Sequence, residues 1–390
     1  MKKIAATTIG VAAFALHLCA APVVEITSVQ QQYPWTNTVD ITYTSTGVAD
    51  ANTYYVVFKA HDADGKEIGV ITNDLKISQG SSWVAQWQPP FNVRYENCTM
   101  TPYVYKGGQD DYMIVDLETW QVAYEGMSTQ AASNEKYNTP DYKTKKLVLR
   151  KISAGVYTNG WNQTKNSYMG SNSPHEVKIP KPYYMGIFKL TEGQYKRIMS
   201  DSTADTALPK VSVSNTGLRG GAGAGSAPQS GFFFELGKKL AAKGFDIGEG
   251  FDLPTEEMWE IAARAGVRTC HLWGDTWNDN WSKYIQSSTH VAVGGKLPNN
   301  WGLYDVMGNV WDRCRDVGRE VSTDLANYAE QCANGLKPRT TGKSGYEVLK
   351  GGSSEAANSS RVDAWLSAGY VNQANNSSPS HEGFRIAFIP

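Results

Sequence analysis

The chain has 390 residues and carries 37 Lys and Arg against 38 Asp and Glu, a formal net charge of −1. This balance leaves no basic or acidic field that would bind nucleic acid or an anionic membrane. Hydrophobic residues make up 41% of the chain, enough for a sizeable core, which excludes global disorder. At about 150 residues per domain, the length predicts two or three domains.

The first 21 residues have the layout of a secretory signal peptide. Lys2 and Lys3 precede an apolar stretch that ends at Leu18 and is followed by small residues. The stretch is shorter than the ~18 residues of a transmembrane helix, and no later apolar run reaches that length. We therefore expect an exported chain without a membrane span, located in the periplasm, on the cell surface or in the medium. Lipidation at Cys19 is an alternative that the bulky Leu18 before it disfavours.

Export makes the cysteines after the signal peptide candidates for disulfides. They are Cys98, Cys270, Cys314 and Cys332. They form no CxxC pair, which excludes a zinc ribbon or a thioredoxin motif. Four cysteines allow three connectivities, so Cys314–Cys332, Cys270–Cys314 and buried free thiols all stay open.

Residues 22–126 have the pattern of an all-β domain. Apolar and polar residues alternate along residues 39–43 and 54–60, which is the period of a half-buried strand. Asp64-Gly65 is a hairpin signal directly after the second of these strands. Strands at this spacing predict an immunoglobulin- or fibronectin-like sandwich.

A polar stretch at residues 127–145 is predicted to be a linker, and residues 146–390 a second domain. Helices are expected to be few in this domain. Helical patterns begin after Ser230 and Thr255, whose side-chain oxygens can cap the first turn, and a third short helix is expected to start at Thr191. The remainder is predicted to be loops and short strands.

Three stretches of the second domain carry a family pattern. They are FDLPTEEMWEIAARAG at 251–266, NNWGLYDVMGNVWD at 299–312, and the pair VLKGGS at 348–353 with EGFRIAF at 382–388. Their order and spacing resemble the formylglycine-generating enzymes, also called sulfatase-modifying factors, over the whole second domain. The resemblance implies an α+β, C-type-lectin-like formylglycine-generating-enzyme fold with few helices and much irregular structure, here preceded by the all-β domain.

The motif residues also suit a structural role. Trp259, Trp301 and Trp311 are large apolar anchors for a loop-rich core. Arg264 and Arg385 can tie loop carbonyls or carboxylates together. We therefore expect most of these residues to hold the fold rather than to act on a substrate.

The resemblance also implies a catalytic site that this chain lacks. The enzymes of the family oxidise a sulfatase cysteine to formylglycine with two cysteines that bind copper(I), an ion that favours soft thiolates. Those cysteines follow the Ser of the GGS motif by three and eight residues, and from Ser353 the positions are Ala356 and Arg361. Neither side chain supplies a thiolate, and no cysteine follows Cys332. The sequence thus predicts no catalytic residues and no copper.

Calcium is the second ion that the resemblance implies. In the family, the GNVWE stretch supplies an Asn, nearby carbonyls and a Glu to the ion, and here the side chains are Asn309 and Asp312. Asp keeps the hard carboxylate oxygen that Ca²⁺ prefers. The family's other calcium site corresponds to residues 282–284, where Lys283 argues against an ion. Asn309 and Asp312 are therefore the predicted metal ligands.

The sequence predicts an exported, non-catalytic sulfatase-modifying-factor-like protein that binds a glycan or a secreted protein, for example a sulfatase. Trp277, Trp281 and Trp365 are either sugar-stacking residues or core. Two alternatives stay open: a formylglycine-generating oxidase that acts on sulfatase cysteines, and a structural surface protein. Other enzyme classes lack a motif, because the histidines show no HxH or HExxH spacing and no GxSxG elbow occurs.

Overall fold

The structure, a computed structural model, describes residues 23–31, 38–47, 54–65, 67–77, 82–87, 95–106, 110–127, 130–160, 174–267, 269–274, 285, 290–319, 331–354, 366–375 and 380–390. The chain divides into two compact units between Gly108 and Gln109. The predicted signal peptide lies outside the described residues. In the ranges given, every helix is too short or too polar to cross a membrane.

The described part of the first unit consists of six β-strands in two antiparallel sheets. The strands are β1 (Val23–Gln31), β2 (Val39–Thr46), β3 (Tyr54–His61), β4 (Glu67–Ile77), β5 (Ser82–Trp87) and β6 (Thr99–Lys106). One sheet has the order β1-β2-β5 and the other β4-β3-β6. Ile41 and Tyr43 of β2 and Phe58 of β3 lie in one shared apolar core. The all-β first domain and its alternating strands are therefore confirmed.

The second unit combines helices with a larger number of short strands. Its strands are β7 (Tyr112–Asp116), β8 (Val122–Glu125), β9 (Lys146–Ile152), β10 (Gly155–Asn159), β11 (His175–Ile179), β12 (Tyr183–Gly186), β13 (Gly250–Asp252), β14 (Trp311–Gly318), β15 (Lys343–Lys350), β16 (Asn372–Asn375), β17 (Glu382–Phe384) and β18 (Ala387–Ile389). Its helices are α1 (Gln130–Tyr137), α2 (Pro140–Thr144), α3 (Glu192–Met199), α4 (Asn215–Arg219), α5 (Gly231–Ala241) and α6 (Glu256–Arg264). A six-stranded sheet has the order β13-β18-β12-β9-β7-β8, a four-stranded sheet the order β16-β15-β14-β17, and β10 pairs with β11. The predicted α+β class with few helices is confirmed.

The second unit begins earlier in the chain than the sequence pattern indicated. β7 and β8 precede Gly126, yet β7 pairs with β9, with Ile114 opposite Val148. Residues 112–115 are all buried, as expected of a strand covered on both faces, and such a strand shows no apolar–polar alternation. The stretch predicted to be a linker contains α1 and α2.

Three helices begin directly after Thr191, Ser230 and Thr255, close to where the sequence predicts them. The hydroxyl of Thr191 accepts a hydrogen bond from the backbone N–H of Gln194 at 3.2 Å, and the Gln194 side chain accepts one from the Thr191 N–H at 3.0 Å. Thr255 accepts from the N–H of Met258 at 3.1 Å. Ser230 precedes α5, although its side chain makes no capping bond. Side-chain capping thus explains why α3 and α6 begin where they do.

The aromatic anchors of the motifs are buried as predicted. Trp259, Trp301 and Trp311 are at most 8% exposed. Gly351 of the GGS motif has a φ of +85°, and a Cβ there would lie 2.5 Å from the carbonyl oxygen of Val306 and 2.9 Å from Cζ2 of Trp259. The motif therefore needs glycine at this position, because its backbone passes directly against the Trp259 ring.

Candidate functional site

A buried group of three charged side chains and one tryptophan, here called the Asp312 cluster, consists of Asp312, Lys189, Arg385 and Trp259. Oδ2 of Asp312 lies 2.8 Å from Nζ of Lys189 and accepts hydrogen bonds from Nε of Arg385 at 2.9 Å and Nε1 of Trp259 at 3.0 Å. Burial opposes ionisation of Asp312, but Lys189 and Arg385 outweigh it and lower the Asp312 pKa. Burial also lowers the pKa of Lys189 to about 8, against the attraction of Asp312.

Asn309, the other predicted calcium ligand, pairs its amide with the backbone of Val291. Its Oδ1 accepts from the Val291 N–H at 3.3 Å and its Nδ2 donates to the Val291 carbonyl at 3.1 Å. The nearby Asp305 accepts from the N–H of Gly294 at 2.7 Å, and burial raises its pKa. Asn309 and Asp305 both have positive φ, +62° and +50°, which is the backbone of a tight loop. Their side-chain hydrogen bonds hold this loop conformation in place.

These contacts leave little room for calcium. A calcium ion takes six to eight oxygen ligands at ~2.3–2.6 Å. Oδ2 of Asp312 faces two cations and both amide atoms of Asn309 are used, so Oδ1 of Asp312, which is buried without a hydrogen-bond partner, is the one free oxygen of the predicted pair. Within the described ranges, no three His, Cys, Asp or Glu side chains are placed to hold a metal. The residues present therefore fit calcium poorly, and residues 282–284 lie outside the described part.

A second buried group of charges lies along α6. Glu256 and Glu260 are at most 2% exposed, and both face cationic side chains. The partners are Arg264 and Lys350 for Glu260, at 2.9 and 3.0 Å, and Arg319 and Arg339 for Glu256, the latter at 3.1 Å. Burial opposes ionisation of both carboxyls, yet these cations outweigh it and lower both pKa values to about 2. The arrangement ties α6 to neighbouring strands and loops.

Arg264 and Arg385 act on loops as predicted from the sequence. Nη2 of Arg264 donates to the carbonyl of Gly160 at 2.9 Å, and Nη1 of Arg385 donates to that of Ile187 at 3.0 Å. Each arginine thus satisfies a carboxylate and a loop carbonyl at once. The predicted structural role of both is confirmed.

The chain next to the family's copper-binding positions is part of the core. Ser353 and Ser354 are buried, and the N–H of Ser354 donates to the carbonyl of Asn309 at 2.9 Å. Ala356 and Arg361 themselves lie outside the described residues, as do Trp277, Trp281 and Trp365. The sequence alone therefore defines the chemistry of the two copper positions.

Cys98, Cys270, Cys314 and Cys332 are reduced cysteines that form no disulfide in the described residues. Cys98 belongs to the first unit, and Cys270 and Cys314 are almost fully buried in the second. Burial raises the pKa values of Cys98 and Cys332 to about 11 and that of Cys314 well above its usual range. Thiols with raised pKa values stay protonated near neutral pH, whereas metal binding requires the thiolate.

Two charged residues that sequence reasoning missed are Lys189 and Arg315. Lys189 follows an almost continuous apolar run at residues 182–188, and a lone cation there is the signal that could have indicated a buried counter-charge. Arg315 lies in β14 and lines a cavity of about 230 Å³. Nothing in the local sequence distinguishes it from the arginine at 313, which forms buried ion pairs.

Comparison with known proteins confirms the resemblance drawn from the motifs. Residues 138–388 match the family model described as Sulfatase-modifying factor enzyme 1-like domain. A Formylglycine-generating enzyme of Thermomonospora curvata is 31% identical over 157 residues, which are 36% of this chain and 50% of that protein. The mouse protein named Inactive C-alpha-formylglycine-generating enzyme 2 is 39% identical over 90 residues, which are 20% of this chain and 29% of that protein.

A solved structure, Treponema denticola variable protein 1, is similar at 21% identity with a TM-score of 0.47, over 63% of this chain and 96% of that one. The chain spans half or less of the length of the two curated relatives. The family match, in contrast, takes in more than half of this chain and contains every motif of the second unit. The chain therefore belongs to the family of sulfatase-modifying factor enzyme 1-like domains.

Proposed function

We propose that this chain is an exported, non-catalytic member of the sulfatase-modifying factor family that binds a glycan or a protein ligand. The observation that carries the proposal is the residue pair at the family's copper positions, Ala356 and Arg361. Copper(I) takes soft thiolate ligands, and neither a methyl group nor a guanidinium supplies one.

The remaining thiols support the loss of copper chemistry. A substitute site would need two thiolates that meet near the surface. Cys270 and Cys314 are 1% and 0% exposed, and Cys98 belongs to the first unit. Burial raises the pKa of Cys332, the most accessible of the four, to about 11, so its thiolate is scarce at neutral pH.

Ligand binding is the activity that we propose for a scaffold that keeps its packing but lacks the catalytic residues. The second unit keeps its buried anchors and charge clusters, so the fold is maintained without the catalytic pair. The mouse relative that is 39% identical over 90 residues is itself named as inactive. Loops on a fixed scaffold can vary to recognise a ligand, and this general property of the fold is what supports ligand binding here.

The first prediction concerns oxidation of a sulfatase-type cysteine. We expect the full chain, supplied with copper(I), oxygen and a peptide containing CxPxR, to consume no oxygen above the protein-free background. The peptide mass should stay unchanged, because no thiolate pair holds copper at residues 356 and 361.

Two controls sharpen this measurement. An active formylglycine-generating enzyme under the same conditions shows that the peptide and copper are competent. The A356C/R361C double variant tests whether the thiols alone are missing. Turnover by the unmodified chain would overturn the non-catalytic proposal. Turnover that persists in the Cys270→Ser, Cys314→Ser and Cys332→Ser variants would then favour a divergent oxidase that does not use these thiols.

The binding half of the proposal is tested with a glycan array and with immobilised secreted sulfatases. Saturable binding of the full chain to one of these probes, without turnover, supports the proposal. Binding to neither probe overturns it and favours the structural surface protein. Export is tested separately, by fractionating cells that produce the chain from its first residue and sequencing the N-terminus of the exported product.

The resemblance predicts calcium at Asn309 and Asp312 and no measurement tests it, but we propose from the geometry that calcium does not bind there. Lys189 and Arg385 already balance Asp312. Calcium in excess over a chelator should therefore leave the melting temperature of the second unit unchanged. A calcium-dependent rise in melting temperature that disappears in Asp312→Asn would instead establish the ion at this position.

A further inference from the structure

A cavity of about 230 Å³ lies beside the start of α6, and no member of the Asp312 cluster lines it. Its walls come from the loop at residues 225–228, from β13, from α6 and from the C-terminal strand β18. The apolar side chains that line the cavity include Leu253, Met258, Leu336, Ala387 and Ile389. The space is smaller than a drug-sized pocket and suits a molecule with a short apolar body.

Arg315 is the cation of this cavity. Its side chain is 16% exposed, and its Nε donates to the carbonyl of Ala224 at 2.5 Å. The same nitrogen lies 3.4 Å from Oδ2 of Asp252. Neither terminal guanidinium nitrogen has a hydrogen-bond partner among the described residues. Arg315 therefore retains the two donors that form a bidentate contact with a carboxylate.

The charges around the cavity leave this guanidinium without a full counter-charge. Asp252 is already held by Arg219, through Nε–Oδ1 and Nη2–Oδ2 contacts of 2.7 and 3.0 Å. Glu249, which also lines the cavity, is 62% exposed and pairs with Lys181 at 2.7 Å. Two arginines thus share one carboxylate at the wall. Burial lowers the Arg315 pKa, although Asp252, Asp316 and Glu249 oppose the shift.

We propose that this cavity binds a small organic monocarboxylate, with the carboxylate on the terminal nitrogens of Arg315 and the apolar body against Met258 and Leu336. The planar guanidinium fork matches the two carboxylate oxygens. The single surplus positive charge matches a single negative charge. A phosphate group carries about −1.5 to −2 at neutral pH, so Asp252 and Glu249 at the same wall repel it more strongly than they repel a carboxylate.

The proposal is tested by titrating the full chain with short aliphatic monocarboxylates, for example butyrate and hexanoate, and with their amides as neutral controls. Methyl NMR of Met258, which lines the cavity, reports binding, and Met185, which is buried outside the cavity, is the reference. We expect a saturable shift of the Met258 signal with the acids and none with the amides. Arg315→Met should weaken the binding at least tenfold, and Arg315→Lys should restore only part of it because the fork is lost.

Arg197→Met is the matched control variant. Arg197 is 17% exposed, pairs with Asp205 and lies outside the cavity, so its removal changes the net charge equally. Should Arg315→Met fail to fold, Ala227→Trp at the exposed rim replaces it, because a large side chain there narrows the mouth without removing a charge. Binding that is equal for acids and amides, or unchanged in both cavity variants, would overturn the proposal.

A free acid and the C-terminus of a peptide present the same carboxylate chemistry. A second arm therefore compares short peptides ending in Leu or Val with their C-terminally amidated forms. Binding of the free-ended peptides alone identifies a chain terminus as the ligand, and binding of the small acids alone identifies a metabolite. Absence of binding in both arms would show that the Arg315 cavity has no carboxylate ligand. These outcomes do not depend on the glycan and sulfatase experiments.

Discussion

The Asp312→Ala substitution is expected to lower the free energy of unfolding of the second unit by about 3–5 kcal/mol. Asp312 is fully buried, and its Oδ2 lies 2.8 Å from Lys189 and 2.9 Å from Arg385. Removing the carboxylate leaves two cations in the core without their shared counter-charge, and it also removes the acceptor of the Trp259 N–H. Urea unfolding of the full chain, followed by hydrogen exchange of peptides from α6 and β14, measures the change.

An exposed ion pair of the same unit provides the control. Asp141 and Lys145 lie 3.3 Å apart at i and i+4 on the surface, with side chains 64% and 42% exposed. Asp141→Ala should therefore change the free energy of unfolding by less than about 0.5 kcal/mol. An effect of Asp312→Ala as small as this would mean that Lys189 and Arg385 find water or another partner, and would contradict the charge balance described for the cluster.

The cation side of the cluster is expected to be less sensitive. Burial already disfavours the charged form of Lys189, whose pKa is lowered to about 8. Lys189→Met removes that unfavourable burial together with the attraction to Asp312, while Arg385 stays to neutralise the carboxylate. The loss of stability should therefore be clearly smaller than for Asp312→Ala. The Asp312→Ala variant leaves two buried cations unpaired, whereas Lys189→Met leaves the Asp312–Arg385 ion pair intact.

The parts of the fold that could be predicted from the sequence are those set by nearby residues. Thr255 predicts the start of α6 because a capping bond joins residues three apart, and the short helix expected at Thr191 is α3. β7 could not be recognised in the same way. Its residues 112–115 are apolar without alternation, and only the pairing with β9 and the cover on both faces assign the strand to the second unit.

The candidate sites depend on residues that are far apart in the sequence. The family's copper positions could be read directly, because they are defined by spacing from Ser353. The Asp312 cluster could not, since Lys189 and Asp312 meet only after β12, β14 and β18 are assembled. Arg315 was missed for the same reason: its surplus charge follows from Arg219 already occupying Asp252.

The stability of the second unit is expected to be highest near pH ~5 and to fall in both directions. On the neutral side, burial and the neighbouring Glu347 raise the pKa of Glu382 from 4.5 to about 7, although Arg313 opposes the shift. Burial raises the pKa of Asp316 from 3.8 to about 6. A raised pKa means that the folded state binds the proton more tightly, so this stability is present below the unfolded pKa and is lost as the pH rises through 6 and 7.

The acid side has the opposite sign. The folded pKa values of Glu256 and Glu260 are about 2, below the usual 4.5. Their contribution is complete above pH ~4.5 and is lost as the pH falls toward 2, and two such carboxyls together are worth several kcal/mol. Acid should therefore unfold the second unit through the groups on α6, after a first gain in stability between neutral pH and ~5.

Melting temperatures measured by calorimetry from pH 3 to 8 test both limbs, and two variants assign them. Glu382→Gln should flatten the limb between pH ~5 and 7, because the group no longer titrates, and leave the acid limb in place. Glu260→Gln should lower the melting temperature at neutral pH, since Lys350 and Arg264 lose a buried partner, and should make the acid limb shallower.

A melting temperature that rises steadily from pH 3 to 8 would show that the raised pKa values of Glu382 and Asp316 are absent in solution. An acid limb of unchanged steepness in Glu260→Gln would assign acid unfolding to carboxyls elsewhere than α6.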